Sequence, residues 1–144
     1  MYAVRTKLTI YFHFPNKTTA ARCPMECTMS SDAESWSCCI EIRREYDDND
    51  SRLRCPTVDR FGPVIDRKAK VELWIRRAQA AVLSASQNYS DFYNMSADDL
   101  RALPASHRRF SRNIIHITIK DPEATDLSFV DLPGLSFQIP FPKS

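Results

Sequence analysis

The chain has 144 residues, 43% hydrophobic and 26% charged, with a formal net charge of +2; that is enough for one domain with a real core and too balanced to mark a nucleic-acid or membrane-surface binder. No apolar run approaches the ~20 residues that a membrane-spanning helix needs. Glycine is scarce: only Gly62 and Gly134 occur, against a usual frequency of about 7%. A phosphate-cradling loop of the form G-x-x-x-x-G-K-[ST] needs two glycines five apart, so the chain has none.

Residues Met1 to Met25 contain no acidic residue and carry Arg5, Lys7, Lys17 and Arg22, a faint trace of a mitochondrial transit peptide. The β-branched and aromatic segment Leu8 to Phe14 speaks against it and reads instead as a strand from Lys7 to Phe14, ended by Pro15-Asn16. From Pro24, the alternation of Met25, Cys27 and Met29 with Glu26 and Thr28 predicts a half-buried strand. A polar turn at Ser30 to Ser35 follows. A second strand then puts Cys38, Ile40 and Ile42 on one face and Cys39, Glu41 and Arg43 on the other, and the two strands are expected to form an antiparallel hairpin. Tyr46 to Arg60, dense in charge and carrying Pro56, reads as a solvated loop.

The spacing predicts a helix over Lys68 to Ser86, with Val71, Trp74, Ile75, Ala78, Val82 and Ala85 on one arc and Glu72, Arg76 and Gln79 opposite. Ser96-Ala97-Asp98-Asp99 resembles a capping box and starts a short helix that Pro104 stops. Asn113 to Ile119 alternates Ile115, Ile117 and Ile119 and predicts a strand, with His116 facing away from the isoleucines. Leu127 to Val130 is near-continuously apolar, as expected of a central strand buried on both faces. It delivers Asp131-Leu132-Pro133-Gly134 into a sharp turn. An aspartate at a strand's carboxyl end can hold a magnesium ion through water, and a glycine three residues on lets a backbone N–H approach a phosphate.

The five cysteines, Cys23, Cys27, Cys38, Cys39 and Cys55, are odd in number, and nothing reads as a signal peptide, which argues for reduced thiols in a cytosolic setting. As zinc ligands they are poorly spaced, and Cys38 and Cys39 point to opposite strand faces. Cys27 shares its face with Met25 and Met29 and reads as a buried apolar thiol. Cys23, beside Arg22, has no identifiable base or oxyanion donor near it that would make it a nucleophile. His107-Arg108-Arg109 and Arg112 read as a solvated connection, since only Phe110 among them offers a stacking surface for nucleic acid.

Four segments in order carry a resemblance: Ala21-Arg22-Cys23-Pro24-Met25-Glu26-Cys27; Val71-Glu72-Leu73 leading to Arg76-Arg77-Ala78-Gln79-Ala80-Ala81-Val82; Phe110-Ser111-Arg112-Asn113-Ile114-Ile115; and Asp126 through Leu135. Together they resemble the dynamin superfamily of large GTPases, most closely its fungal dynamin-like members, over residues 20–135. The resemblance implies an α/β fold: an incomplete P-loop NTPase-type mixed sheet with flanking helices, lacking the phosphate-binding-loop strand and its helix. Residues 1–19 and 136–144 diverge from the family, the latter through Pro140, Pro142 and large apolar side chains, as in a truncated or misjoined gene product.

By this resemblance Arg22-Cys23-Pro24 ends a first switch and Asp131 to Gly134 form the second, with Asp131 holding the magnesium water shell and the Gly134 N–H meeting the γ-phosphate. Ala21 stands where the family usually has the threonine that ligates magnesium, and Thr18 and Thr19 are displaced along the chain. Leu135 cannot orient an attacking water, a function that dynamins place in the phosphate loop. No Thr-Lys-x-Asp guanine-reading motif follows. The family implies GTP and Mg²⁺ as ligands, hydrolysis coupled to membrane remodelling, self-assembly, and a cytoplasmic protein peripheral to membranes, mitochondria or microtubules. Neither ligand is expected to bind tightly to these residues, no nucleic acid is expected, and membrane contact would run through domains these residues do not include. A different class of reading is a non-enzymatic α/β interaction module derived from such a domain. Without the first strand, the strand at Leu127 is expected to keep an unpaired edge.

Overall fold

The computed structural model describes residues 22–84, 88–104 and 110–131. The elements run β1 (Met25–Ser30), β2 (Ser37–Tyr46), β3 (Arg52–Arg60), a 3-10 turn at Lys68–Lys70, α1 (Val71–Leu83), a second 3-10 turn at Tyr89–Phe92, α2 (Ala97–Ala102), β4 (Ile114–Lys120) and β5 (Leu127–Asp131). The chain is thus α/β, with one five-stranded mixed sheet in the order β3-β2-β4-β1-β5. β1 and β4 are parallel; the other three pairings are antiparallel.

Period-2 patterning made the strands half-buried as expected. Met25, Cys27 and Met29, then Cys38, Ile40 and Ile42, then Ile115, Ile117 and Ile119 line one face and are all buried. In register, Cys27, Ile117 and Ile40 form one row across three strands. α1 lays Val71, Ile75, Ala78 and Val82 into the same core, and Gln79 Nε2 reaches Met25 Sδ at 3.5 Å. The expected arc holds for these positions, and Trp74 packs at its margin; Ala85 lies outside the described residues. The helix starts three residues later than the spacing suggests because Lys68–Lys70 form a tighter turn.

The connection from β3 to α1 turns at Gly62, whose φ of +76° suits a residue without Cβ. A Cβ there would lie 2.5 Å from the Trp74 ring. Phe61, Trp74, Tyr89 and Tyr93 pack edge to face around this turn. At α2 the capping box is present: the Asp99 N–H donates to Ser96 Oγ at 3.1 Å and the Ser96 N–H donates to Asp99 Oδ2 at 2.8 Å.

Three expectations are corrected. β1 and β2 do not form a hairpin: β4 lies between them, pairing with both. The isoleucine strand is the most apolar of the five, and the middle position is the one where neighbours cover it from both sides. Arg52 to Arg60 is not a loop but β3, paired to β2 with a register shift between Arg44 and Tyr46. Its residues are nearly all exposed, so no face leaves an apolar imprint, and an edge strand tolerates Pro56 and its charges. Leu127 to Val130 is not a central strand buried on both faces. β5 is the last strand of the described sheet; Leu127 and Phe129 pack on the core, while Val130 is 57% exposed. The described helices pack against the isoleucine side. The strand expected at Lys7 to Phe14 and the divergent segments 1–19 and 136–144 lie outside the described residues. No described helix is long and apolar enough to cross a membrane.

Candidate functional site

The pairing of β5 with β1 sets the geometry. Running antiparallel, it places Asp131 opposite Met25, so the segment Arg22-Cys23-Pro24 and Asp131 come to one end of the sheet although more than 100 positions separate them in the chain. β4 starts at the same end, since Met25 is also level with Ile115, and so does the last turn of β2, since Arg43 is level with Ile114. Of the residues singled out in the sequence, Arg22, Cys23, Pro24 and Asp131 are therefore brought together. Ala21, Leu132, Pro133 and Gly134, with Thr18, Thr19 and Leu135, lie outside the described residues.

Backbone bonds hold the entry to β1. The Ser111 N–H donates to Arg22 O at 2.9 Å and the Ile115 N–H to Pro24 O at 3.0 Å. Arg22 is exposed. Cys23 is wholly buried, which removes it from contact with any solvent-borne substrate and agrees with its rejection as a nucleophile. A shallow hollow of about 590 Å³ opens beside this segment, with Pro24, Tyr46, Asp50, Phe110 and Arg112 around it. Arg112 Nε lies 3.5 Å from Asp50 Oδ2, and its guanidinium stacks over the Tyr46 ring at 5.3 Å. Arg112 is thus engaged within the chain; His107, Arg108 and Arg109, its partners in the basic cluster, lie outside the described residues.

Two of the residues that build this end, Ser111 and Asn113, entered the sequence reading only within a segment that carries the resemblance, with no role of their own. Both are buried. Asn113 stands one residue before β4, where the alternation had placed the first residue of a strand, and instead its side chain bonds the backbone of β2. A polar residue breaking the apolar alternation at a strand's start is the signal that could have found it.

The opposite face of the sheet collects charge at mid-strand. Glu26 Oε2 lies 3.4 Å from Arg43 Nη1 and 3.6 Å from His116 Nδ1, and His116 Nε2 is 3.5 Å from Thr28 Oγ1. His116 thus faces away from the isoleucines, as its parity requires. The buried thiols behave as apolar groups: burial pushes Cys27 and Cys38 each up to about 12, the latter with smaller contributions from Cys27 and Cys39. None of the five cysteines is joined in a disulfide.

The donors on hand fit magnesium and GTP only in part. Of the residues named for these ligands, Asp131 ends β5, an alanine side chain such as that of Ala21 has no oxygen to give, and the 144 residues contain no phosphate loop or guanine-reading motif. The chain matches no protein-family model and no curated protein.

Proposed function

We propose that these residues are the switch-bearing part of a dynamin-like GTPase domain, cytoplasmic and peripheral to membranes through parts not included here. On this reading the family activity is GTP hydrolysis with Mg²⁺, coupled to self-assembly and membrane remodelling, and these 144 residues by themselves are inactive. The observation that supports it is the register that puts Asp131 opposite Met25: two segments that resemble the first and second switches meet at one end of a mixed sheet, as a shared phosphate would require. Asp131 and Gly134 would then hold the metal's water shell and the γ-phosphate, and Arg22 to Pro24 would close from the other side.

Titration calorimetry with a non-hydrolysable GTP analogue and Mg²⁺ is expected to show weak or no binding by the isolated chain, and sub-micromolar affinity would refute that expectation. A chimera restoring a phosphate loop and base motif tests the ancestry. It should hydrolyse GTP about a hundredfold faster with Ala21→Thr than with Ala21, one lost transition-state contact being worth ~3 kcal/mol, and should lose turnover with Asp131→Ala. Equal rates in all three would sink the switch assignment. One observation favours a second reading, a non-enzymatic interaction module: the described residues close a continuous core of their own, from Cys23 to Ile119. Cooperative unfolding of a soluble chain without nucleotide affinity would support it.

A further inference from the structure

The segment Ser111–Asn113 joins two parts of the molecule that are not strand neighbours. On one side, the Ser111 N–H donates to Arg22 O at 2.9 Å, tying it to the entry of β1. Within the segment, the Asn113 N–H donates to Ser111 Oγ at 3.1 Å. On the other side, Asn113 Oδ1 receives the N–H groups of both Glu45 and Tyr46 at 2.9 Å, and Nδ2 donates to Tyr46 O at 3.1 Å. These are the backbone groups next to the register shift of β2, where the ladder to β3 is interrupted. An amide side chain can make about four hydrogen bonds, and this one spends three on a single irregularity while 6% exposed.

Beyond Tyr46 the chain makes a self-contained turn. The Asp47 N–H donates to Ser51 O and the Asp50 N–H to Asp47 O, Asp47 Oδ1 receives Asn49 and Ser51 N–H, and Asp50 holds a left-handed φ of 62°. Arg112, between the two buried anchors, fastens the outside of the same turn through Asp50 and the Tyr46 ring. One short stretch therefore grips the entry of β1 with its first residue and the β2–β3 turn with its last two.

We propose that Ser111–Asn113 is a latch that makes the Arg22–Pro24 segment and the Tyr46–Ser51 turn order and open as one unit, so that a ligand fixing either one is felt at the other. The physical reason is the burial of the shared anchor. If the turn lifts away, Asn113 keeps buried donors and acceptors without partners, so its own bond to Ser111, and through it the bond to Arg22, weakens in the same event. Nothing in the latch depends on a nucleotide, and its failure would leave the switch reading where it stands.

Amide hydrogen exchange on the full chain tests it from both ends. Asn113→Ala is expected to speed exchange at Asn49, Asp50 and Ser51, which Asn113 does not touch, together with Ser111, each about tenfold, the scale of one lost hydrogen bond or two. The amides of Ile117 and Ile119 in β4 should not change, which serves as the check that the fold survives. Asp47→Ala, at a site outside the core, removes the carboxylate that receives the Asn49 and Ser51 N–H groups of the turn and should speed Ser111 by a similar factor. If Asn113→Ala fails to fold, the Asp47→Ala protein decides. Faster exchange confined to the residues that each substitution touches, or no change at the far end, would overturn the latch.

Discussion

Cys38 and Cys39 are adjacent in the chain and stand on opposite faces of one sheet. Cys38 is wholly buried under the helix layer and its thiol is pushed up to about 12; Cys39 is half-buried on the far face, with Arg60 Nη2 at 3.9 Å from its sulfur. The same division runs through every inner strand: Cys27, Ile40 and Ile117 on one side, Glu26, Glu41 and His116 on the other. The first face carries the dispersion and hydrophobic energy that holds the fold. The second carries ion pairs in partial contact with solvent, which contribute little to stability. Change is therefore tolerated on one face and resisted on the other, while the ends of the strands, where the faces meet, are left to position Arg22, Asp131 and the Asn113 anchor.

The widest gap between the faces should appear in thiol chemistry. With its pKa near 12, Cys38 has only about one thiolate in 10⁴ molecules at pH 8, and Cys27 shares that state. Iodoacetamide at pH 8 is expected to label exposed Cys55 and then Cys39, and to spare Cys27 and Cys38 until urea unfolds the chain. Peptide mass spectrometry reads the order, and labelling of Cys38 at the rate of Cys39 would break the comparison.

Stability gives the next contrast. Ile117→Ala in the central strand should cost about 2–5 kcal/mol, transfer and cavity terms together. Glu26→Gln, which removes the partner of Arg43 and His116 across the sheet, should cost no more than ~1 kcal/mol because these side chains remain about one-third exposed or a little less. Urea unfolding of both variants checks the pair, and similar losses would mean that the polar face is far more organised than its exposure indicates.

The smallest effect lies at the far end of the sheet, where Asp126 receives the Ser31 N–H at 2.7 Å and its hydroxyl at 2.9 Å. The bond from the backbone, then that from the hydroxyl, holds this carboxyl below its ordinary value. A carboxylate whose pKa is lowered by folding adds stability that is fully present above the unfolded pKa and disappears as pH falls through the folded value. The difference in urea midpoint between the native chain and Asp126→Asn should therefore be constant above about pH 5 and shrink below about pH 4. A difference that persists at pH 2 would show that the contact works through shape and not charge.

What could be read from the residues in order was whatever depends on near neighbours. The alternation at Met25 to Met29, Cys38 to Arg43 and Ile115 to Ile119 specified three strands and their buried faces, because side chains alternate across any strand whatever it pairs with. The arc of Val71, Ile75, Ala78 and Val82 specified a helix for the same kind of reason, and Ser96 with Asp99 specified its successor through a contact three residues long. The apolar run at Leu127 showed a strand but not its place, since a run with both parities filled looks alike at a sheet's centre and at its edge.

Partnership was decided only in three dimensions. The insertion of β4 between β1 and β2, the recruitment of charged Arg52 to Arg60 as an edge strand of the described sheet, and the register that sets Asp131 opposite Met25 all depend on residues tens of positions apart competing for the same hydrogen-bonding edges. Local pattern carries no record of that competition. Asn113 makes the point at one residue: its polarity could be read in the chain, but its three bonds to Glu45 and Tyr46 exist because the tertiary fold brings an interrupted ladder within reach of a buried amide.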